Sequence, residues 1–308
     1  MEKIIIVTRP TRLDALIEKF NTEGQAKFYI EHLGSDFSDY KQESDIYYRE
    51  LDLLVSSMHD FGQVQILDWK FLPNYIFGKN DLVLTIGQDG LVANTLKYLD
   101  EQLLIGINSD KTRWDGILSL FSAKDAKLIA EKAQNSKATV REITKAKIEL
   151  SDNQVLYAVN DFFVGVSNHA SARYEISFNG IKEYQSSSGI IISTPLGSSG
   201  WMRSVLEGAE NISHKIDGTV AHSVSQPIKA WSDDILQFAV REPFPSNSTQ
   251  TSIAYGVVLG GQSLTIESKM GENGIIFSDG VQKDYLNFNY SVKANVTIAQ
   301  QKGRLVVG

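Results

Sequence analysis

The sequence predicts a doubly wound α/β domain over residues 1–135 and a mostly antiparallel β domain over 136–308, with the chain end free to return to the first domain. Three observations carry that expectation. Through residue 135, short β-branched runs alternate with stretches of helical apolar period, the mark of a parallel sheet wound by helices. From Ser136 onward the texture turns to short alternating strands punctuated by Asn179-Gly180, Asp217-Gly218, Gly260-Gly261, Asn273-Gly274 and Asp279-Gly280, which are hairpin turn signals. A chain of 308 residues also exceeds the size at which one core usually stops growing.

The elements follow in order. Lys3–Val7 is an apolar strand ended by Thr8-Arg9-Pro10. Leu13, Leu16, Ile17 and Phe20 share one face of a helix over residues 11–20, and Leu51, Leu54, Val55 and Met58 repeat that period in a longer helix. Val64–Leu67 and Asp81–Ile86 read as strands, then a Gly-Gln-Asp-Gly turn, a helix over Leu91–Leu99 and a strand at Leu103–Ile107. Ser122 and Asp125 have the spacing of a capping box opening a helix that runs to Asn135. In the second domain, Ser198–Glu207 is the one stretch that reads as a short helix, and Asp233-Asp234 reads as a solvated turn before a strand at Ile235–Val240.

Composition narrows the function. Hydrophobic residues are 42% and charged residues 22%, ordinary values for a soluble globular protein. No apolar stretch reaches the roughly 20 residues needed to cross a bilayer, so no membrane partner is expected. Met1–Val7 is too short for a secretory core and reads as a strand. The absence of cysteine excludes thiol catalysis, disulfides and Cys-based metal sites, and a cytoplasmic address is expected. A net charge of −7 without a Lys/Arg run argues against a nucleic-acid partner. A small anionic nucleotide stays compatible, because backbone amides and Mg²⁺ hold phosphate without net positive charge.

Four constellations can carry chemistry. Gly87-Gln88-Asp89-Gly90 lies at the carboxyl end of a strand and the start of a helix, where open α/β sheets bind anions. Asp89 there can accept a hydrogen bond from a substrate hydroxyl and serve as general base, although Asp-Gly alone is also a common turn. Asn160-Asp161 closes the run Val155–Val159 and can read an adenine or a ribose diol, or merely cap its own turn. Gly189–Trp201 runs from a buried strand into a Pro/Gly/Ser loop, in which small residues let a ligand approach the backbone. Its spacing is not that of a nucleophile elbow, which argues against a serine hydrolase. In His222–Ile228 the histidine reads as a hydrogen-bonded structural residue, because no metal-ligand spacing surrounds it.

These motifs occur in the order and spacing of the NAD kinase family, which the sequence resembles over nearly its whole length. Gly87–Gly90 is similar to the family's GGDGT loop, Gly106-Ile-Asn108 to its GVN strand end, and Asn160-Asp161 to its Asn-Glu pair. Ser193–Ser199 resembles the STPTGST loop, His222–Ile228 the PHSLSFRPI segment, and Ser278-Asp-Gly280 the late Asp-Gly. The stretches 158–165, 173–177, 187–189, 107–110 and 240–243 look closest to the mitochondrial branch.

The resemblance implies NAD held between two domains, with ATP and Mg²⁺ arriving together and the γ-phosphoryl moving to the adenosine ribose 2′-hydroxyl. It implies Asp89 as proton acceptor, and Gly87, Gln88 and Gly90 as the phosphate loop. Asn160, Asp161, Ser188, Thr194, Ser198, Ser199, Gly200 and Trp201 become nucleotide contacts, with no resident metal and a homodimer or homotetramer as the assembly. Departures fall at Gln88, Leu91 and Asp161, where the family has Gly, Thr and Glu, and at Ser186-Ser-Ser-Gly189, where many bacterial members have Arg-Gly-Asp-Gly. If the loop needs a left-handed residue at Gln88, a glutamine costs about 1 kcal/mol or displaces Asp89, so Gln88→Gly is expected to accelerate the reaction. Two other readings compete: a non-catalytic dinucleotide-binding protein with a degenerate loop, and a lipid or sugar kinase with a related GGDG-like loop.

Overall fold

The computed structural model describes residues 3–217 and 230–308. His222–Ile228, and Gly218 of the Asp217-Gly218 pair, lie outside the described residues. The chain divides into two compact units, one of residues 1–141 with 304–308, the other of 142–303.

The first unit is built from β1 (Lys3–Thr8), α1 (Arg12–Phe20), α2 (Glu23–His32), α3 (Phe37–Met58), β2 (Gln63–Asp68), β3 (Leu82–Ile86), α4 (Asp89–Leu96), β4 (Leu103–Ile107) and α5 (Ala126–Gln134). β5 (Val140–Ile143) spans the division. With the last strand of the chain, β18 (Gly303–Val306), they form a sheet of order β2-β1-β3-β4-β18-β5. The pairs β1·β2, β1·β3, β3·β4 and β4·β18 are parallel. Ile4, Ile6, Leu82, Leu84, Ile86, Ile105 and Ile107 bury one face of this sheet against Tyr47, Leu51, Leu54 and Met58 of α3 and Ala126, Ile129 and Ala130 of α5. The strands read as unbroken apolar runs because both faces are covered, as parallel sheets require. Burying each such side chain contributes about 1.5–3 kcal/mol.

α1 starts where the apolar period begins, because Thr11 and Asp14 cap it reciprocally. α5 starts one turn later than its signal suggests. Asp125 accepts hydrogen bonds from Ser122 N (2.9 Å) and Oγ (2.6 Å), but this half-box closes a turn ahead of Ala126. α4 occupies Asp89–Leu96 rather than Leu91–Leu99, and every residue from Leu91 to Leu96 is buried, so no amphipathic face betrays it.

The second unit holds β6 (Ala146–Leu150), β7 (Val155–Ala158), β8 (Asp161–Val166), β9 (Ala172–Phe178), β10 (Ile181–Ser187), β11 (Ile190–Ser193), α6 (Trp201–Asp217), β12 (Ile235–Val240), β13 (Tyr255–Leu259), β14 (Leu264–Ser268), β15 (Gly274–Ser278), β16 (Val281–Asn287) and β17 (Lys293–Ile298). Two antiparallel sheets, β10-β9-β14-β17-β6-β7 and β13-β12-β11-β8-β15-β16, share one core. Phe162, Val164, Ile190 and Ile192 point into that core, whereas Phe163 and Ile191 point to the opposite face. There Trp201, Met202, Val205 and Leu206 of α6 cover them. The helix runs to Asp217 rather than ending at Glu207, and Val205, Ala209, Ile212 and Ile216 continue its apolar period. Among the described residues no helix is long and apolar enough to cross a membrane.

Candidate active site

In the first unit the Gly87–Gly90 loop leaves the carboxyl end of β3. Gly87 has φ 141°, a conformation that L side chains rarely adopt, and its N–H donates to Ile107 O at 2.9 Å on the neighbouring strand. Gln88 is different from the sequence expectation. It stands at φ −95° and ψ 163°, extended backbone open to any residue, and it is exposed at the N-cap of α4. No left-handed strain exists there for a glycine to relieve. Gln88→Gly should therefore give no acceleration and, because the Gln88 side chain makes no capping hydrogen bond, no loss of stability at the cap; steady-state kinetics and thermal unfolding of the variant check both.

Asp89 opens α4, half-buried, with its carboxylate turned into the segment 117–119. Oδ1 accepts from Leu118 N (3.0 Å), Ser119 N (2.9 Å) and Ser119 Oγ (2.7 Å), and Oδ2 accepts from Ile117 N at 2.8 Å. The side chain is thus held rigidly. Oδ2 carries only one of these donors and retains lone-pair capacity for a further hydroxyl. Upstream, Asn108 staples the same loop, donating to Trp114 O (2.9 Å) and accepting from Asp110 N (2.9 Å).

The second unit carries the remaining motif residues. Val159-Asn160 forms the turn between β7 and β8, and the carboxylate of Asp279 grips it. Asp279 accepts from Val159 N (3.1 Å), Asn160 N (2.7 Å) and Asp161 N (3.3 Å). Thr194 N donates to Asn160 O at 2.9 Å, and Thr194 Oγ1 donates to Val159 O at 2.5 Å while accepting from Gly197 N at 3.2 Å. Asn160, Asp161 and the Ser193–Ser199 loop are therefore brought together, around an anchor whose role the sequence did not disclose. Its signals were an Asp-Gly turn pair, which also marks any tight hairpin, and the likeness of Ser278-Asp-Gly280 to a family motif, neither of which gives its partners.

Thr194 corrects one expectation. It is 1% exposed and its hydroxyl is used within the loop, so it shapes the loop rather than facing a ligand. Ser198 Oγ donates to Pro195 O (2.7 Å) and Ser199 Oγ to Leu196 O (3.4 Å), which leaves their oxygens as acceptors. Ser199 and Gly200 are exposed, and Ser188 is half-buried with its N–H donated to Arg241 O at 2.9 Å. The Trp201 indole stacks on Phe163 with centroids 5.8 Å apart, and the Arg241 guanidinium lies 5.6 Å above the indole ring.

Asp161 is buried at the start of β8. Burial, and secondarily the negative charge of Asp279, push its carboxyl up to about 7. A carboxyl raised in the fold contributes stability that is complete below its unfolded value, near 4, and is lost as pH rises through about 7. The protein should therefore unfold at lower temperature at pH 8 than at pH 6. Asp161→Asn, neutral throughout, should remove that slope and unfold several degrees higher than the native chain at pH 8, at roughly 2 °C per kcal/mol. Equal pH slopes for the two proteins would contradict the assignment.

Among the described residues no group of three or more His, Asp or Glu side chains is arranged to hold a metal ion.

Comparison with solved structures bears on the whole arrangement. An NAD kinase from Archaeoglobus fulgidus, solved in complex with ATP, superposes with a TM-score of 0.57 at 14% identity, covering 99% of this chain and 93% of that one. This is the NAD kinase fold. Yeast NADH kinase, solved with NADH, superposes with the same TM-score of 0.57 at 15% identity, over 100% of this chain and 84% of that one. No family model matches the sequence, and no curated protein matches it. Structural likeness thus extends over almost the entire chain, at 14% and 15% sequence identity.

Proposed function

We propose that this protein is an ATP-dependent NAD kinase, transferring the γ-phosphoryl of ATP to the adenosine ribose 2′-hydroxyl of NAD to give NADP. The observation that carries the reading is the fixed Asp89 carboxylate, held by Ile117, Leu118 and Ser119 at the carboxyl edge of the parallel sheet. Phosphoryl transfer asks little covalent work of a protein; it needs an oriented nucleophile, held phosphates and a metal carried on the nucleotide. Asp89 Oδ2 accepts the hydrogen bond of the 2′-hydroxyl and aims its oxygen, and the Gly87–Gly90 backbone lies against the phosphates. Mg²⁺ enters as part of the Mg·ATP substrate and neutralises charge on the transferring group.

Asn160 and Asp161 read the nucleotide from the turn that Asp279 and Thr194 make rigid. Ser188, Ser198, Ser199, Gly200 and Trp201 are the further nucleotide contacts of this second unit. The ATP complex of the archaeal NAD kinase and the NADH complex of the yeast NADH kinase support this choice of substrates.

Thermal unfolding with NAD, NADH, ATP and a diacylglycerol–detergent mixture separates the readings. Stabilisation by the dinucleotide and by ATP is expected, since a ligand bound only by the native state at 100 times its Kd adds about 2.7 kcal/mol. A shift with NAD but none with ATP favours the non-catalytic dinucleotide-binding protein. A shift with ATP and the lipid but none with either dinucleotide favours a lipid kinase.

A further inference from the structure

We propose that Arg9 binds the polyphosphate chain of the donor nucleotide at the carboxyl edge between β1 and β3. The strand order β2-β1-β3-β4 places a topological switch there, because the chain leaves β1 toward β2 on one side and β3 toward β4 on the other. Open α/β sheets bind ligands in the crevice outside such a point. The parallel register pairs Val7 with Thr85 and Thr8 with Asp68. Continued along both strands, it sets Arg9 beside Gly87 on one flank and Trp69 on the other.

The side chain is pre-set for an anion. The guanidinium lies 5.4 Å above the Trp69 ring, and the Arg9 N–H donates to Tyr47 Oη at 3.3 Å, so backbone and side chain are both held. A ring face orients a cation without neutralising it. The other cations near this edge are already paired: Arg12 with Asp39 and Glu43, Lys70 with Asp68, and Arg113 with Asp39 and Asp110. Among the described residues, no carboxylate lies within ion-pair distance of exposed Arg9. In a chain of net charge −7, an unneutralised guanidinium on the strand next to the Gly87–Gly90 loop is a specific attraction for a polyphosphate. Its fork geometry allows two hydrogen bonds to neighbouring phosphate oxygens, which an ammonium does not match.

The inference rests on the kinase reading only for the identity of the molecule that carries the phosphates, so the test uses a probe that requires no turnover. Inorganic tripolyphosphate is titrated calorimetrically into the native protein, Arg9→Gln and Arg9→Lys, with circular dichroism to verify folding. Binding by the native protein is expected to weaken about 10-fold or more in Arg9→Gln and to be intermediate in Arg9→Lys. In parallel, Arg9→Gln should raise the KM for ATP by a similar factor and leave that for NAD unchanged. Equal tripolyphosphate affinity in native protein and Arg9→Gln, or no binding by the native protein, overturns the proposal. Arg9-dependent binding without any NADP formation instead removes the kinase reading and leaves this site standing. NADP formation with an unchanged KM for ATP in Arg9→Gln does the reverse.

Discussion

Asp89→Asn is expected to lower turnover by about 10²–10⁴, the range for removing a positioned acid–base group. The geometry says how. Oδ1 receives Leu118 N, Ser119 N and Ser119 Oγ, whereas Oδ2 receives Ile117 N alone. An asparagine will keep its carbonyl oxygen toward the three donors and turn its amide toward the single one. At Oδ2 an acceptor then becomes a donor, facing both the Ile117 N–H and the substrate hydroxyl. The mismatch should also cost about 1–3 kcal/mol of stability, the penalty for an unsatisfied partner. Turnover and thermal unfolding of the same preparation separate the two effects. A folded variant with native kcat would remove Asp89 from the reaction.

Gly197→Ala should produce a large structural loss. A Cβ built on Gly197 would lie 2.1 Å from Asn160 O and 2.5 Å from its carbonyl carbon. The obstacle is backbone, not a flexible side chain, and it cannot retreat, because Asp279 and Thr194 hold that turn through Val159 and Asn160. Relief requires moving the Ser193–Ser199 loop away from Asn160 and Asp161. About 3 kcal/mol of destabilisation is expected, the upper part of the range for forcing atoms into a packed site. Loss of NAD-induced stabilisation should accompany it. Gly208→Ala on the exposed side of α6, where an added Cβ meets nothing within 4 Å, is the control and should stabilise by about 0.5–1 kcal/mol. Thermal unfolding of both variants with and without NAD decides the matter; a Gly197→Ala protein as stable as the control would contradict the packing described.

Much of the architecture was legible because local signals and burial agree. β3 and β4 announced themselves as apolar runs buried on both faces, and Asn179-Gly180 forms a hairpin turn with φ of 49° and 80°. α2 was not legible, since only Ala26 and Ile30 of Glu23–His32 are buried, too few to set a period. The candidate site residues stand out as types in motifs, but not in their connections. Asp89 meets its partners 28 to 30 residues onward, and Asp279 meets Asn160 across 119 residues. Such pairings depend on how strands are ordered, which no window of sequence reports. The misreading at Gln88 has the same origin: a family glycine suggests positive φ, yet the residue that needs it here is Gly87.

The proposed reaction is phosphoryl transfer to the 2′-hydroxyl of NAD. Its most direct measurement is incubation of the purified protein with NAD, ATP and Mg²⁺, followed by quantitation of NADP and ADP over time with an NADP-specific dehydrogenase and chromatography. NADP and ADP are expected in equal amounts, growing linearly with protein and falling by about 10²–10⁴ in Asp89→Asn. ADP without NADP, or neither product from a protein that binds both nucleotides, would contradict it.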